Sequence, residues 1–249
     1  MADFKIVHIS DVHFTSQHFS RELWASTVRS TREFNPDLIV VSGDLTDDGY
    51  PHEYKTVVDR LGDLSGFRML VVPGNHDSRN YGYKIFEKIF KTRYPFFEGE
   101  FIRVVGIDSS EPDIDDGHVG RLAYRIVSEK LEGFNGVKIV VLHHHLIPIP
   151  GTGRERNIPV DAGDFLELLD RLKVSVVLCG HKHVPWIWKL NDMYIVNAGT
   201  ASTLRLKAYQ PPSFNKIEVS REGRLRIVRV NVDTGDETTI LEKFLKVKV

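Results

Sequence analysis

The segment Asn75-His76-Asp77 places an amide, an imidazole and a carboxylate directly after the apolar run 71–72 and a Pro-Gly turn. An apolar strand that ends in such a turn presents its next side chains at the strand end, outside the core. Side chains of these three types can bind a metal ion or move a proton. The segment therefore indicates a functional site.

Four further apolar runs end in residues of the same chemical kind. One such segment alone would be weak evidence, because Asn and Asp are common in turns for local hydrogen-bonding reasons. Five of them predict strands that deliver ligand-type side chains to one edge of a sheet. The other runs, 6–10, 38–42, 139–142 and 174–179, lead respectively to Asp11 and His13, to Asp44, to His143, His144 and His145, and to His181 and His183.

Composition argues against a polymeric or membrane-bound substrate. The formal net charge is −1, with 33 basic and 34 acidic residues, so no overall field attracts nucleic acid or an anionic membrane. Cys179 is the single cysteine, which excludes an internal disulfide framework. No run approaches the ~18 apolar residues of a membrane span, and the N-terminus lacks a signal-peptide pattern. We expect a cytoplasmic protein that acts on a small molecule.

Alternation of strands and helices, followed by late hairpins, predicts an α/β fold with helices outside the sheets. We expect one domain over 1–249, with a core at about 4–205 and a C-terminal hairpin and tail over 206–249. Amphipathic periodicity predicts helices over 20–34, 51–64, 80–94 and 122–131, and another that begins at Asp161 or Asp164. The tail 241–249 is expected to be an edge strand or a packed arm.

The strand ends together supply a mixed set of oxygen and imidazole ligands. Such a set suits Mn, Zn, Fe or Co better than a metal that prefers thiolates. A single hydrolytic ion keeps about three protein ligands, so the excess favours two ions that share Asp44. Asp47 and Asp48 are interpreted as solvated turn residues. The predicted ligands are Asp11, His13, Asp44, Asn75, His144, His181 and His183.

Two such ions about 3.5–4 Å apart can hold a bridging hydroxide and stabilise the attacking and leaving oxygens of an in-line displacement at phosphorus. The predicted chemistry is therefore hydrolysis of a phosphoester.

The motifs as a set resemble the calcineurin-like metallophosphoesterase superfamily over roughly residues 4–205. Within it, His-Ile-Ser-Asp-x-His and Gly-Asp-Leu-Thr look most like class III cyclic nucleotide phosphodiesterases and their glycerophosphodiesterase relatives. The motifs that carry the resemblance are Asp11-x-His13, Gly43-Asp44, Gly74-Asn75-His76-Asp77, the histidines 143–145 and Gly180-His181-x-His183.

The resemblance implies a four-layer αββα sandwich with two mixed β-sheets. It also implies that His76 donates to the phosphoryl or leaving-group oxygen and that Asp77 orients His76. The family commonly has His-x-Pro at the fourth motif, and Leu146 stands at the proline position, which favours His144 as the ligand and leaves His143 open. One ion would be held by Asp11, His13, Asp44 and His183, and the other by Asp44, Asn75, His144 and His181.

The resulting hypothesis is hydrolysis of a phosphodiester, such as a cyclic nucleotide or a glycerophosphodiester, with two metal ions. A phosphomonoesterase or nucleotide-ester hydrolase on the same centre is the alternative. A nuclease is disfavoured by the near-neutral charge. A non-catalytic scaffold of the retromer-subunit kind is disfavoured because the ligands and His76 are all present. A homodimer stays open.

The irregular run 148–159 follows the histidine cluster and carries Arg154 and Arg156. Long loops in compact domains are commonly binding loops or lids, and a guanidinium can pair with two phosphate oxygens. Either the loop borders the substrate and one arginine contacts it, or both arginines are solvated. The turn over 200–205, with Arg205, is the other candidate for a substrate contact.

Overall fold

A computed structural model describes residues 3–153 and 157–246 of the chain. Within them the chain forms twelve strands and five α-helices. The strands are β1 (Phe4–Ile9), β2 (Leu38–Ser42), β3 (Met69–Val72), β4 (Phe96–Glu98), β5 (Ile102–Gly106), β6 (Val137–Val141), β7 (Val176–Cys179), β8 (Trp186–Leu190), β9 (Met193–Asn197), β10 (Ser213–Val219), β11 (Arg224–Asn231) and β12 (Glu237–Phe244).

The helices begin and end where local side chains satisfy the backbone. The Ser20 side chain accepts from the Leu23 amide at the first turn of α1, and Asn35 ends that helix with a φ of 50°. Pro51 opens α2, and the Glu53 carboxylate returns to the Tyr50 amide at 2.8 Å. The helices are α1 (Arg21–Phe34), α2 (Pro51–Leu61), α3 (Gly82–Phe90), α4 (Gly120–Leu131) and α5 (Ala162–Arg171).

The strands form two mixed six-stranded sheets. The first has the order β12-β11-β10-β1-β2-β3, in which β1, β2 and β3 are parallel and the other pairings are antiparallel. The second has the order β4-β5-β6-β7-β9-β8, with β5, β6, β7 and β9 parallel. Because β10 pairs directly with β1, the C-terminal strands are part of the first sheet.

Three apolar cores separate four layers. One lies between the sheets, where Val40 and Leu70 meet Ile139 and Val176. A second lies between the first sheet and the helices α1, α2 and α3, and a third lies between the second sheet and α4 and α5. Strands β2, β6 and β7 are buried on both faces, which explains their continuous apolar sequences. The predicted four-layer αββα sandwich with two mixed sheets is confirmed.

Several predicted boundaries were wrong. The helix expected over 80–94 begins as 3₁₀ structure over His76–Tyr81 and ends at Phe90, because Lys91 takes a φ of 70°. The short strand β4 was not predicted. The tail 241–249, expected to be an edge strand or a packed arm, includes the end of the edge strand β12, which runs over Glu237–Phe244, and its residues 247–249 lie outside the described residues. Within the described ranges, no helix has the length and apolarity needed to cross a membrane. The cytoplasmic location stays a prediction.

Candidate metal centre

The turns that carry the predicted ligands lie side by side at the carboxyl ends of β1, β2, β3, β6 and β7. Backbone hydrogen bonds join them: the Asp11 amide donates to Gly43 at 3.0 Å, and the Gly180 amide donates to His143 at 2.9 Å. Parallel neighbours within each sheet bring these ends to one edge, and the stacking of the sheets brings the two edges together. The predicted convergence of five strand ends is present.

The backbone of this edge is strained at the ligand positions. Non-glycine residues rarely adopt positive φ, and where they do the strain is commonly retained at functional sites. Five of the predicted ligands share this conformation. They are Asp11 (52°), His13 (41°), Asp44 (55°), His181 (75°) and His183 (56°).

The first cluster contains Asp11, His13, Asp44 and His183, whose donor atoms all lie within 4.8 Å of one another. His13 Nε2 is 3.2 Å from His183 Nε2 and 3.6 Å from Asp44 Oδ2. His183 Nε2 is 3.4 Å from Asp11 Oδ1. All four predicted residues of the first ligand set are therefore together.

The second cluster contains Asp44, His143 and His181, with Asn75 beside them. His143 Nε2 is 3.3 Å from Asp44 Oδ2 and 3.1 Å from Asn75 Oδ1. His181 Nδ1 is 3.0 Å from the same Asn75 oxygen and 3.2 Å from His143 Nε2. Asp44 Oδ2 therefore faces both clusters.

The structure brings His143 into the second cluster and not His144, which the sequence favoured. Both nitrogens of His144 have partners outside the cluster: Nδ1 is 2.9 Å from Ser109 Oγ and Nε2 is 3.2 Å from the Asp115 carbonyl oxygen. His143 lies two residues after the end of β6, and its Nδ1 is 2.8 Å from the Ser42 carbonyl oxygen, which directs Nε2 inward. Aligning the histidines on Leu146, at the position where the family has proline, gives no information on how each imidazole is oriented.

Buried charges in the two clusters shift one another's pKa values. Burial and the neighbouring Asp44 raise the pKa of Asp11 to about 6. Burial acts to raise the pKa of Asp44 as well, but His143 and His76 hold it well below its ordinary value. Burial acts to lower the pKa of His143, and Asp44 outweighs it, so that this pKa rises to about 9. The protein alone thus balances buried carboxylates with protonated imidazole.

The donor set fits metal ions. Metal–donor bonds of about 2.0–2.2 Å imply donor–donor distances of roughly 3–3.5 Å around one ion. Pairs of imidazole nitrogens face each other at 3.2 Å in each cluster, close to buried carboxylate oxygens. A cation in place of the proton on His143 would bind these converging nitrogen and oxygen atoms, whose burial without a partner is otherwise costly. The mixture of carboxylate, amide and imidazole suits borderline divalent ions.

Hydrogen-bonding groups outside the two clusters orient several of the ligand-type side chains. Most of these contacts were not predicted. Asp47 was interpreted as solvated, but its Oδ1 is 2.9 Å from His13 Nδ1 and leaves His13 Nε2 for the cluster. The Arg205 carbonyl oxygen holds His183 Nδ1 at 2.8 Å. A turn aspartate three residues beyond a predicted ligand carries no sequence signal that separates this role from solvation.

The predicted catalytic pair is divided in the structure. His76 lies beside the first cluster, with its ring centroid 4.9 Å from that of His13 and its Nδ1 2.5 Å from the Asp47 carbonyl oxygen. Among the described residues no hydrogen bond joins the Asp77 carboxylate to the His76 ring, so the predicted orienting role has no support in this geometry. The buried Asp77 carboxylate instead accepts from the amides of Leu45, Thr46 and Gly74 at 2.9–3.2 Å. Asp77 therefore connects the Asp44 turn to the Asn75 turn.

Of the three arginines predicted to contact the substrate, the structure describes only Arg205. Arg154 and Arg156 lie outside the described residues. Arg205 follows a turn next to His183, and its side chain is exposed. Beside it, Lys207 is partly buried, and burial lowers its pKa while Asp11 acts in the opposite direction. Lys207 is thus a second basic side chain near the clusters, and it was not among the predicted substrate contacts.

Fold and site together define a class of protein: an αββα sandwich with two adjacent cation-ligand clusters where its sheet edges meet. The family model of the calcineurin-like phosphoesterases matches residues 4–185. The chain belongs to the calcineurin-like phosphoesterase family, and the expected class of metal-dependent phosphoesterase is thereby confirmed.

Curated relatives are similar at low identity. A "3',5'-cyclic-nucleotide phosphodiesterase" of Nostoc sp. is 25% identical over 96% of this chain and 91% of its own length. A "Probable cyclic nucleotide phosphodiesterase" of Synechococcus sp. is 27% identical over 66% of this chain. A "Probable glycerophosphodiester phosphodiesterase" of Arcobacter nitrofigilis is 28% identical over 67% of it. The chain spans 64% of the length of each of these last two relatives.

Solved structures share the fold. A dimetal phosphatase from Danio rerio superposes with a TM-score of 0.74 at 13% identity, over 98% of this chain and 100% of the other. Purple acid phosphatase from yellow lupin gives a TM-score of 0.77 at 14% identity, over 96% of this chain and 53% of the other. At this identity the likeness concerns the fold alone.

Proposed function

We propose that this protein hydrolyses a small-molecule phosphodiester with the help of two divalent or transition-metal ions. The observation that carries the proposal is the position of Asp44, whose Oδ2 lies 3.6 Å from His13 Nε2 in one cluster and 3.3 Å from His143 Nε2 in the other. A carboxylate shared in this way is what two adjacent ions require. Mn, Fe, Zn and Co all suit the donor set.

Seven side chains would divide between the two ions. Asp11, His13 and His183 would complete one site, and Asn75, His143 and His181 would complete the other, with Asp44 common to both. When bound, such a pair of ions activates water and stabilises charge on the oxygens around phosphorus.

His76 would serve the reaction by moving a proton. Its Nδ1 is held by the Asp47 carbonyl oxygen at 2.5 Å, so Nε2 is the nitrogen available to the phosphoryl or leaving-group oxygen. A positioned acid or base of this kind contributes about 10²–10⁴ in rate. Arg205, which is exposed beside His183, is the proposed side chain for contact with the substrate anion.

The diester preference is supported by the names of the relatives, among them a cyclic-nucleotide and a glycerophosphodiester phosphodiesterase. A nucleic-acid substrate is disfavoured because the net charge is −1 and phosphate-backbone binding requires many cations.

The test compares bis(4-nitrophenyl) phosphate with 4-nitrophenyl phosphate, at known metal content, and then a 3',5'-cyclic nucleotide with a glycerophosphodiester. We expect two ions per chain, faster diester hydrolysis, and complete loss of activity on chelation. His76→Ala should lower turnover by about 100-fold or more and keep both ions. Undiminished hydrolysis by metal-free protein would refute the proposal. Faster monoester hydrolysis would assign the centre to the phosphomonoesterase alternative, and loss of the ions in His76→Ala would make His76 a ligand.

A further inference from the structure

The amide of Asn75 faces two different environments. Its oxygen lies 3.1 Å from His143 Nε2 and 3.0 Å from His181 Nδ1, in the second cluster. Its nitrogen donates to Asp115 Oδ1 at 3.0 Å, on the side away from the cluster. A metal ion can bind the oxygen of an amide but is repelled by its NH₂ group, so the rotation of this amide decides whether Asn75 can act as a ligand.

Asp115 lies in the loop that connects β5 to α4 and is held there from two sides. Arg79 Nη2 contacts the same carboxylate oxygen at 2.6 Å. The carbonyl oxygen of Asp115 lies 3.2 Å from His144 Nε2, next to the second cluster. The buried His144 therefore fixes the backbone of Asp115 although it contributes no donor to the cluster.

We propose that Asp115 is a positioning residue that sets the rotation of the Asn75 amide and thereby completes the second metal site. The inference rests on the proposed function, because it requires Asn75 to bind an ion. In the opposite rotation the amide oxygen would face the Asp115 carboxylate, and the NH₂ group would face the imidazoles and the ion. Both contacts would be repulsive, so a carboxylate at position 115 selects one rotation.

The experiment titrates metal-free protein with Mn²⁺ and with Zn²⁺ and measures the affinity of each of the two ions. Mutation of a residue that hydrogen-bonds to a metal ligand typically lowers metal affinity by 10–100-fold. In Asp115→Asn we expect the second ion to bind about 10-fold or more weakly, while the first ion is bound as in the wild type. The matched control is Asp116→Asn, which removes the same charge one residue away, where the carboxylate accepts from Asn157 at 3.1 Å.

The same substitution, made in an Asn75→Asp variant, separates positioning of the amide from a general disturbance of the loop. In Asn75→Asp the ligand is a carboxylate, which has no wrong rotation and is repelled by Asp115. Adding Asp115→Asn to Asn75→Asp should therefore strengthen binding of the second ion, the reverse of its effect in the wild type. A purely structural role of Asp115 would weaken binding in both backgrounds.

The outcomes distinguish this inference from the function on which it rests. A wild-type protein that binds fewer than two ions would overturn both. Two ions in the wild type with unchanged affinity in Asp115→Asn, or equal losses in Asp115→Asn and Asp116→Asn, would overturn the role of Asp115 and leave the proposed function standing. Circular dichroism of each variant checks that the comparison is made between folded proteins.

Discussion

At the scale of single residues, the candidate centre depends on which atom of each side chain faces inward. His13, His143 and His183 each have one ring nitrogen occupied by an oxygen atom outside the cluster, at 2.8–2.9 Å. Such partners fix the orientation of the ring, so the other nitrogen is presented to an ion. His144 has such partners on both nitrogens, Ser109 Oγ at 2.9 Å and the Asp115 carbonyl oxygen at 3.2 Å, so it lies beside the cluster without joining it.

This difference leads to a prediction about two adjacent histidines. His143→Ala should lower the number of bound ions from two toward one, because Nε2 of His143 faces Asp44 and Asn75. His144→Ala should retain more bound metal than His143→Ala, because the nitrogens of His144 contact Ser109 and Asp115 and His144 acts on the second ion only through Asp115. Metal content after gel filtration measures both variants. If His143→Ala binds two ions and His144→Ala binds fewer, His144 is the ligand, as the sequence favoured, and the assignment of His143 is wrong.

At the scale of elements, the centre requires turns that approach one another more closely than side chains allow. A Cβ atom on Gly74 would overlap Asp44 Oδ1 and lie 2.5 Å from the Asp44 amide nitrogen. A Cβ on Gly180 would overlap Ser10 Oγ and lie 2.6 Å from Asp11 Oδ2. The glycine before each ligand therefore permits contact between turns that belong to different strands.

Gly74→Ala should displace the shared carboxylate and so weaken both ions together. The expected result is loss of activity and of bound metal, with a lower melting temperature. Gly163→Ala is the control, since a Cβ at that position in α5 meets no atom within 4 Å. Metal analysis and thermal denaturation measure both variants. Wild-type metal content in Gly74→Ala would show that the Asp44 turn can move without loss of its function.

At the scale of the whole molecule, polar groups are buried between apolar layers near the centre. His8 lies on β1, fully buried, and its Nε2 is 2.9 Å from Ser42 Oγ on the neighbouring strand. Burial lowers the pKa of His8 from 6.5 to about 3. The unfolded chain therefore takes up a proton at His8 below about pH 6.5, whereas the folded protein does so only near pH 3.

This linkage predicts that His8 contributes to acid sensitivity. Stability should fall as the pH decreases from about 6.5, by up to about 1.4 kcal/mol per pH unit for this one group. His8→Gln should be less stable than the wild type at pH 7.5, because a buried hydrogen bond is altered. The deficit should shrink by pH 5, as measured by urea denaturation at both values. A constant difference between the two proteins would contradict the assigned shift.

Much of this protein is determined locally by its sequence. The apolar runs that become β1, β2, β3, β6 and β7, and the polar residues after them, are adjacent along the chain. Their pattern predicted the strand ends, an α/β fold with helices outside the sheets, and six of the seven residues brought together in the clusters, whereas the αββα sandwich was implied by the family resemblance. Hydrophobic periodicity and turn-forming residues depend only on neighbouring positions in the chain, so both can be read from a single sequence.

Tertiary structure alone decided how those side chains turn. His143 rather than His144 joins the cluster because the Ser42 carbonyl oxygen lies 101 positions earlier in the chain, on another strand of the other sheet. Asp47 orients His13, and Asp115 meets Asn75 from a loop 40 residues away. Ring and amide rotations depend on hydrogen-bond partners that only folding brings near, and residue type and spacing carry no record of them.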